Sequence, residues 1–373
     1  MDDCLIVGAG VVGLSLAYEL SSHGLRVRVI DRGTPGQESS WAGAGLLPPA
    51  PRASADPLDQ LAALSNGLHS DWAERLKVET GIDNGYLRSG AVYAAQSTAE
   101  AESLRGAAVE WSEQGIVVEA LPAARLAQIE PALAEAPAAG RVKAAYFLPD
   151  EAQIRNPRHI QALLAACLAR GVNVSAGLPA DGFVLRNGRV EGVRTVAGQL
   201  RAERYCLCGG AWTAGLMDRL GLPLAVRPVR GQMVLLHADR SLLRRIVNVG
   251  PRYLVPRADG RLLIGSTEEE AGFDKRTTAA GVAGLLDFGL SLLPALGSMR
   301  IEQTWAGLRP ATADHRPYLG AAPGVDNLFV AAGHFRAGLQ LSTGTASVMA
   351  QLLRGEPPSL DPHAFRCDRA VPL

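Results

Sequence analysis

The 373-residue sequence has little cysteine: five residues, Cys4, Cys167, Cys206, Cys208 and Cys367, an odd number at scattered spacing. That fits a reducing cytosol better than a disulfide framework. Cys206 and Cys208 form a C-x-C pair without further ligands at matched spacing, so no metal site is expected; the pair reads as one face of a buried strand. Net charge is also missing. Lys and Arg total 37 and Asp and Glu total 37, which excludes bulk binding to nucleic acid or an anionic membrane and leaves room for a local cationic pocket. No apolar stretch approaches the ~20 residues of a membrane span. The start, Met-Asp-Asp-Cys, enters an apolar run with no basic region or cleavage site before it, so no secretory signal is expected and a cytoplasmic protein is. No repeat of solenoid period is present.

What remains is a globular mixture, 47% hydrophobic and 20% charged, long enough for two domains. The opening reads as a βαβ unit. Cys4 to Val7 is an apolar strand, and Val11 to Ser22 carries helical periodicity through Val12, Leu16, Ala17 and Leu20. Gly24 ends that helix, and Arg26 to Ile30 is a second strand. The Gly/Ser/Pro-rich stretch from Gly33 to Pro57 is too long for an ordinary connection and reads as a functional loop.

Further on, Leu58 to Thr80 reads as helix, Gly85 to Ala95 and Val117 to Leu121 as strand-like, and Leu126 to Glu130 as a short helix. Asn156 to Arg170 is an amphipathic helix with Pro157 in its first turn. Asn187-Gly188 marks a hairpin, and Arg204 to Cys208 a buried strand entering Gly209-Gly210. Val226 to Leu308 is mostly β, Leu328 to Ala332 is a last apolar strand, and a helix then runs to about Leu353. The expected fold class is α/β: a Rossmann-like nucleotide domain built from separated segments, with a mainly antiparallel sheet inserted as a second domain.

Gly8, Gly10 and Gly13 stand as G-x-G-x-x-G between the first strand and first helix. The first permits the tight turn, the second lets a pyrophosphate approach the backbone, and the third allows close helix–strand packing. The helix end beyond them offers free amides to phosphate. Asp31, at the end of the second strand, has the spacing of an acid that accepts ribose hydroxyls and would repel a 2′-phosphate, which disfavours NADP. These glycines leave FAD and NAD open. The chain after Asp31 favours FAD, because it runs into SSWAGAG instead of completing a contiguous mononucleotide pair; the small residues let backbone amides approach a large planar ligand.

In this order, GAGVVG, ESSWAGAGLLPP, CGGAWT, RYLVPRADGRLLIGST, WAGLRPATADHRPYLG and AAGHFRAGLQLSTGTA resemble the D-amino-acid-oxidase-like flavoproteins over nearly the whole chain, and within them the glycine-oxidising branch of thiamine biosynthesis. The resemblance implies noncovalent FAD, since no cysteine stands in the context of the relatives that attach flavin through sulfur. It implies an FAD-binding domain over residues 1–85, 141–225 and 308–373 and a substrate domain over 86–140 and 226–307. Val11 and Val12 then lie at the pyrophosphate, and Asp31 and Arg32 near the adenosine. Ser39, Ser40, Ala44, Gly45 and Leu46 line the stretch towards the flavin, and Ala180 contacts adenine. The turn of His334, Phe335, Arg336, Ala337, Gly338, Leu339 and Gln340 lies beside the isoalloxazine, with His334 there for backbone contact and not as a base.

By the same resemblance Arg309 binds the substrate carboxylate, Tyr253 helps hold it, and Arg336 lies at the substrate and flavin edge. The chemistry agrees: a small zwitterion has little apolar surface, and a planar guanidinium grips a carboxylate with two parallel bonds. Glu268 stands where relatives often carry an apolar residue. Its neighbours Glu269 and Glu270 make a short acidic run, read as a solvated loop.

The implied reaction is oxidation of glycine or a similar small amino acid or amine by hydride transfer to flavin, with dioxygen as electron acceptor and hydrogen peroxide as product. The resemblance further points to a homo-oligomer and to a thiazole synthase as partner. Other readings stand beside it: a sarcosine, N-methyl or D-amino-acid oxidase or dehydrogenase, a cyanide-forming glycine dehydrogenase, a non-catalytic flavin-binding protein, or a nicotinamide dehydrogenase.

Overall fold

The computed structural model describes residues 1–51 and 53–369. Its first sheet has six strands. Asp2–Val7 is central, flanked in parallel by Ala202–Leu207 and Val27–Ile30. Leu328–Ala332 and Asn173–Ser175 extend the sheet in parallel on either side, and Tyr318–Ala321 closes one edge antiparallel. The central strand is apolar without alternation because both faces are covered. Cys4, Ile6, Cys206 and Cys208 face the helices Val11–Ser22, Pro57–Thr80, Asn156–Ala169 and Ser342–Arg354. Leu5, Val7 and Tyr205 face a small antiparallel sheet carrying Phe183, Val190 and Val193. Cys206 and Cys208 thus share a face, their sulfurs 3.8 Å apart, and all five cysteines are unpaired and buried.

Local chemistry sets the helix limits. Asp56 accepts the Leu58 amide at 2.7 Å, Pro57 occupies the first turn, and Gly81 ends the 24-residue helix at φ 72°. The hairpin turns on Asn187 and Gly188, at φ 49° and 72°.

The second sheet has eight strands in the order Arg300–Ala311, Arg227–His237, Arg261–Gly265, Arg252–Pro256, Ile246–Val249, Ala91–Ala95, Ala144–Leu148 and Glu119–Ala120. It is antiparallel except where Ile246–Val249 meets Ala91–Ala95. Period-two alternation divides its side chains. Val234, Leu236, Leu254, Leu262 and Ile264 pack on the helix Ala279–Leu292 through Leu285, Phe288 and Leu292. Met233, Tyr253, Trp305 and Tyr93 point the other way, towards the first sheet.

Several expectations change. The functional loop after Gly33 holds a short helix, Ser39–Ala42, and a strand, Leu46–Leu47, paired with Ala152–Gln153. The strand expected from Gly85 begins only at Ala91, after Gly90 at φ 69°. The expected boundary at 140/141 puts Ala144–Leu148 with the nucleotide segments, but its partners are Ala91–Ala95 and Glu119–Ala120 in the larger sheet. The boundary at 307/308 falls inside the continuous strand Arg300–Ala311. Strand membership is set by distant pairing partners, which local composition does not reveal. Among the described residues no helix is long and apolar enough to cross a membrane, and no three His, Cys, Asp or Glu side chains gather as metal ligands.

Candidate active site

A cavity of about 1050 Å³ runs from the ends of the parallel strands to the inner face of the large sheet. At one end the backbone is shaped for close approach. Gly8 has φ 112°, and a Cβ there would lie 2.3 Å from the Cys208 carbonyl oxygen. Gly10, Val11 and Val12 line the cavity at the start of the first helix, whose N-cap, Gly10, has no side chain to cap it and whose first turn holds no acid. Gly13 lies beneath the wall: a Cβ there would meet the Gly8 carbonyl at 1.9 Å.

Asp31 lines the cavity and already accepts two backbone amides, Ala9 at 2.7 Å and Gly33 at 2.9 Å, one on each oxygen. A carboxylate keeps further lone pairs for hydroxyl groups. Arg32 stacks on the Trp212 ring at 3.5 Å and pairs with Glu38 at 2.7 Å. Ala180 lies on the same wall. Ser39, Ser40, Ala44, Gly45 and Leu46 form the middle of the cavity. Ser40 accepts the Val11 amide at 2.9 Å, and Asn156 holds the Ser40 carbonyl at 2.8 Å. Trp305 donates to the Ala42 carbonyl at 3.0 Å and so ties the large sheet to this segment.

The turn from His334 to Gln340 forms the opposite wall. The His334 ring is buried against Thr345 at 3.0 Å, and burial pulls its pKa down to about 4, so it is neutral near pH 7 and occupied within the fold. The Gln340 carbonyl is held by His69 at 2.8 Å, and its side chain donates to the Pro48 carbonyl at 2.9 Å.

One cross-strand row of the large sheet makes the far end: Trp305, Met233, Gly265, Tyr253, Asn248 and Tyr93 are successive partners. Two glycines open a slot in this face. A Cβ on Gly265 would lie 2.4 Å from the Tyr253 ring, and one on Gly231 would lie 2.3 Å from Nη1 of Arg309. Arg309 lies across Gly231 and donates from Nη2 to Ser266 Oγ at 2.6 Å and from Nη1 to the Thr267 carbonyl at 3.1 Å. Burial lowers its pKa from the ordinary guanidinium value, with Tyr253 and Glu268 acting in the other direction. Among the described residues no carboxylate forms an ion pair with it. Among the described residues the Tyr253 hydroxyl donates to the Met233 sulfur, at 3.5 Å. Arg336 reaches the cavity from the His334 turn and pairs with Glu268.

The structure therefore gathers the sequence-derived residues around one cavity, Gly13 excepted, and changes the reading of Glu268. Its side chain is 44% exposed but stands on the cavity wall with an arginine partner. The reason is its backbone: Glu269 on one side exchanges amide and carbonyl with Arg230 at 3.0 and 2.9 Å, so Glu268 is not part of a free loop. Sequence reasoning missed Tyr93, Glu151, Asn248, Met233, Ser266 and Trp212, all on the cavity wall. Glu151 is buried, accepts from Tyr93 at 2.7 Å and from Asn248 at 3.4 Å, and burial pushes its pKa up to about 7. Each comes from a different strand or turn, and only alternation in strands such as Arg252–Pro256 hinted at an inward face.

A helix start with no acid in its first turn, a glycine cradle that a single Cβ would fill, and an elongated cavity ending at a guanidinium with no ion-pair partner among the described residues fit a flavin dinucleotide placed over a small anionic substrate. This is the site of a flavin-dependent oxidoreductase. The chain belongs to the FAD dependent oxidoreductase family, which residues 3–352 match. It is 37% identical over 364 residues to a glycine oxidase of Pseudomonas putida, covering 97% of both chains. It is similar to the crystal structure of glycine oxidase from Geobacillus kaustophilus, with TM-score 0.92, 33% identity and coverage of 100% of this chain and 99% of that one. It is also 33% identical to the bifunctional protein ThiO/ThiG of Synechocystis, matching 98% of this chain and 54% of that protein.

Proposed function

We propose that the protein oxidatively deaminates glycine or a similarly small amino acid or amine. The observation that carries this reading is Arg309, half-buried at the end of the cavity with donors to spare and no ion-pair partner among the described residues. The relatives named glycine oxidase agree with it. Bound FAD supplies the two-electron acceptor for the Cα hydride and the route by which dioxygen becomes hydrogen peroxide.

The chain's residues do the positioning. Gly8, Gly10, Val11 and Val12 would hold the pyrophosphate, and Ser39, Ser40, Ala44, Gly45, Leu46 and the turn His334–Gln340 would enclose the ring system. Arg309 binds the substrate carboxylate, and the Tyr253 hydroxyl turns from the weak Met233 contact to the same group. Fixing the carboxylate leaves the amino group and Cα few orientations, which is the larger part of what the protein contributes. The imino acid product hydrolyses to a 2-oxo acid and ammonia.

The fused Synechocystis relative joins the matching half to a second part in one chain. That arrangement supports the reading in which a thiazole-forming enzyme is the partner that takes the imino product here. Cytoplasmic location rests on the five unpaired, buried cysteines.

The test is anaerobic mixing of the purified flavoprotein with glycine, sarcosine, D-alanine or D-proline. Bleaching by glycine, with oxygen consumption and peroxide release in air, is expected. A yellow protein that no amino acid bleaches would overturn the reading, and bleaching without peroxide release would make the enzyme a dehydrogenase.

A further inference from the structure

Three consecutive acids follow Thr267, and each meets a different arginine. Glu270 pairs with Arg227, Glu269 with Arg230 at 2.5 Å, and Glu268 with Arg336. The middle acid is pinned. Besides its backbone exchange with Arg230, Glu269 accepts from Gln232 Nε2 at 2.7 Å, and Thr267 donates its amide to the Gln232 carbonyl at 3.3 Å. With residues 267 and 269 fixed to the strand Arg227–His237, the Glu268 side chain projects into the cavity.

The result is an asymmetric set of cations. Arg336 is matched by Glu268, whereas the hydrogen-bond partners of Arg309 among the described residues, Ser266 and the Thr267 carbonyl, are neutral. Glu268 and Arg336 both act on the Arg309 charge, in opposite senses, so the three groups share one space. Arg252, also on the cavity wall, points its guanidinium to the Phe288 ring on the sheet's other face.

We propose that Glu268 is a specificity-determining residue that restricts the site to substrates with a single carboxylate. One carboxylate satisfies Arg309, which rests on the reading of Arg309 given above. A second carboxylate on the same small molecule must take Arg336 from Glu268, leaving that acid uncompensated beside it, or lie near Glu268 with no cation of its own. Selection against it comes from this repulsive element and not from lost contact area. The pair is half-exposed and weakly coupled, so the effect is about five-fold and not absolute.

The experiment compares the FAD-loaded wild type with Glu268→Gln and with the double variant Glu268→Gln/Arg336→Gln. Two ratios are read: kcat/KM for iminodiacetate over glycine, and the equilibrium affinity for malonate over acetate from perturbation of the flavin spectrum. Glu268→Gln should raise both ratios about five-fold, and the double variant should lose that gain, because the freed cation is gone. Unchanged ratios in Glu268→Gln, or a gain that persists in the double variant, overturn the proposal. If no amino acid is oxidised by the wild type, the proposed function fails, and the malonate-to-acetate ratio still tests the pair. If Arg309→Met binds acetate as the wild type does, Arg309 is not the carboxylate site.

Discussion

Arg309 crosses the bare backbone of Gly231, is half-buried and keeps most of its donors. A carboxylate arriving there meets free donors on a guanidinium that is already partly desolvated. Arg309→Met should therefore lower kcat/KM for glycine by roughly a hundred-fold or more, mostly through KM, as steady-state kinetics would show. Tyr253→Phe removes one hydrogen bond to a charged group and should cost about ten-fold in the same assay. Glu151 offers a test by pH. Its pKa rises from 4.5 to about 7 in the fold, so the native state holds a proton that the unfolded chain releases. Its stabilising contribution is complete below pH 4.5 and is lost as pH rises through 7, on the order of 3 kcal/mol. Glu151→Gln keeps an acceptor for Tyr93 and should be more stable than wild type at about pH 8, the difference vanishing towards acid; equal denaturant midpoints at both extremes would refute this.

Two strands and one turn decide whether the site exists. Arg227–His237 and Arg300–Ala311 pair over their whole length, with an irregularity at Leu235/Leu236, and this register sets Gly231 opposite Gly307 and Val229 opposite Arg309. Gly231→Ala puts a methyl where Nη1 now lies, but the atom displaced is the end of a flexible side chain. The strand should survive and Arg309 should move. We expect an unchanged fold by circular dichroism and a raised KM for glycine. Gly8→Ala differs, because the obstacle is the Cys208 backbone and φ is 112°. That substitution should distort the turn into the first helix, and the protein should purify with greatly reduced flavin, measured by absorbance.

Across the whole molecule, the cavity lies between two sheets with separate cores, so ligand binding and stability are linked. Three buried histidines strengthen the acid side of that linkage. Burial lowers the pKa of His69 and His334 from 6.5 to about 4 and that of His159 to about 3. Their neutral forms contribute stability that is complete above pH 6.5 and is lost as pH falls through 4. Thermal scans of the apoprotein should show a steep loss of melting temperature over that interval. Saturating FAD should raise the melting temperature at each pH, since it binds only the folded chain.

The sequence by itself determined the nucleotide end. The Gly8–Gly10–Gly13 turn, the helix after it and Asp31 are close together in the chain, and each depends on backbone freedom or local periodicity that residue type discloses. The motifs around Tyr253, Arg309 and His334 named a substrate end by resemblance. Tertiary structure alone decided what surrounds it: that Gly231 and Gly265 leave the slot, that Glu151 is buried beside Tyr93 and Asn248, and that Glu268 meets Arg336 across 68 residues of chain. These depend on strand register, and a shift of one residue would turn every side chain to the opposite face. Register is fixed by pairing between distant segments, so no local stretch of sequence carries it.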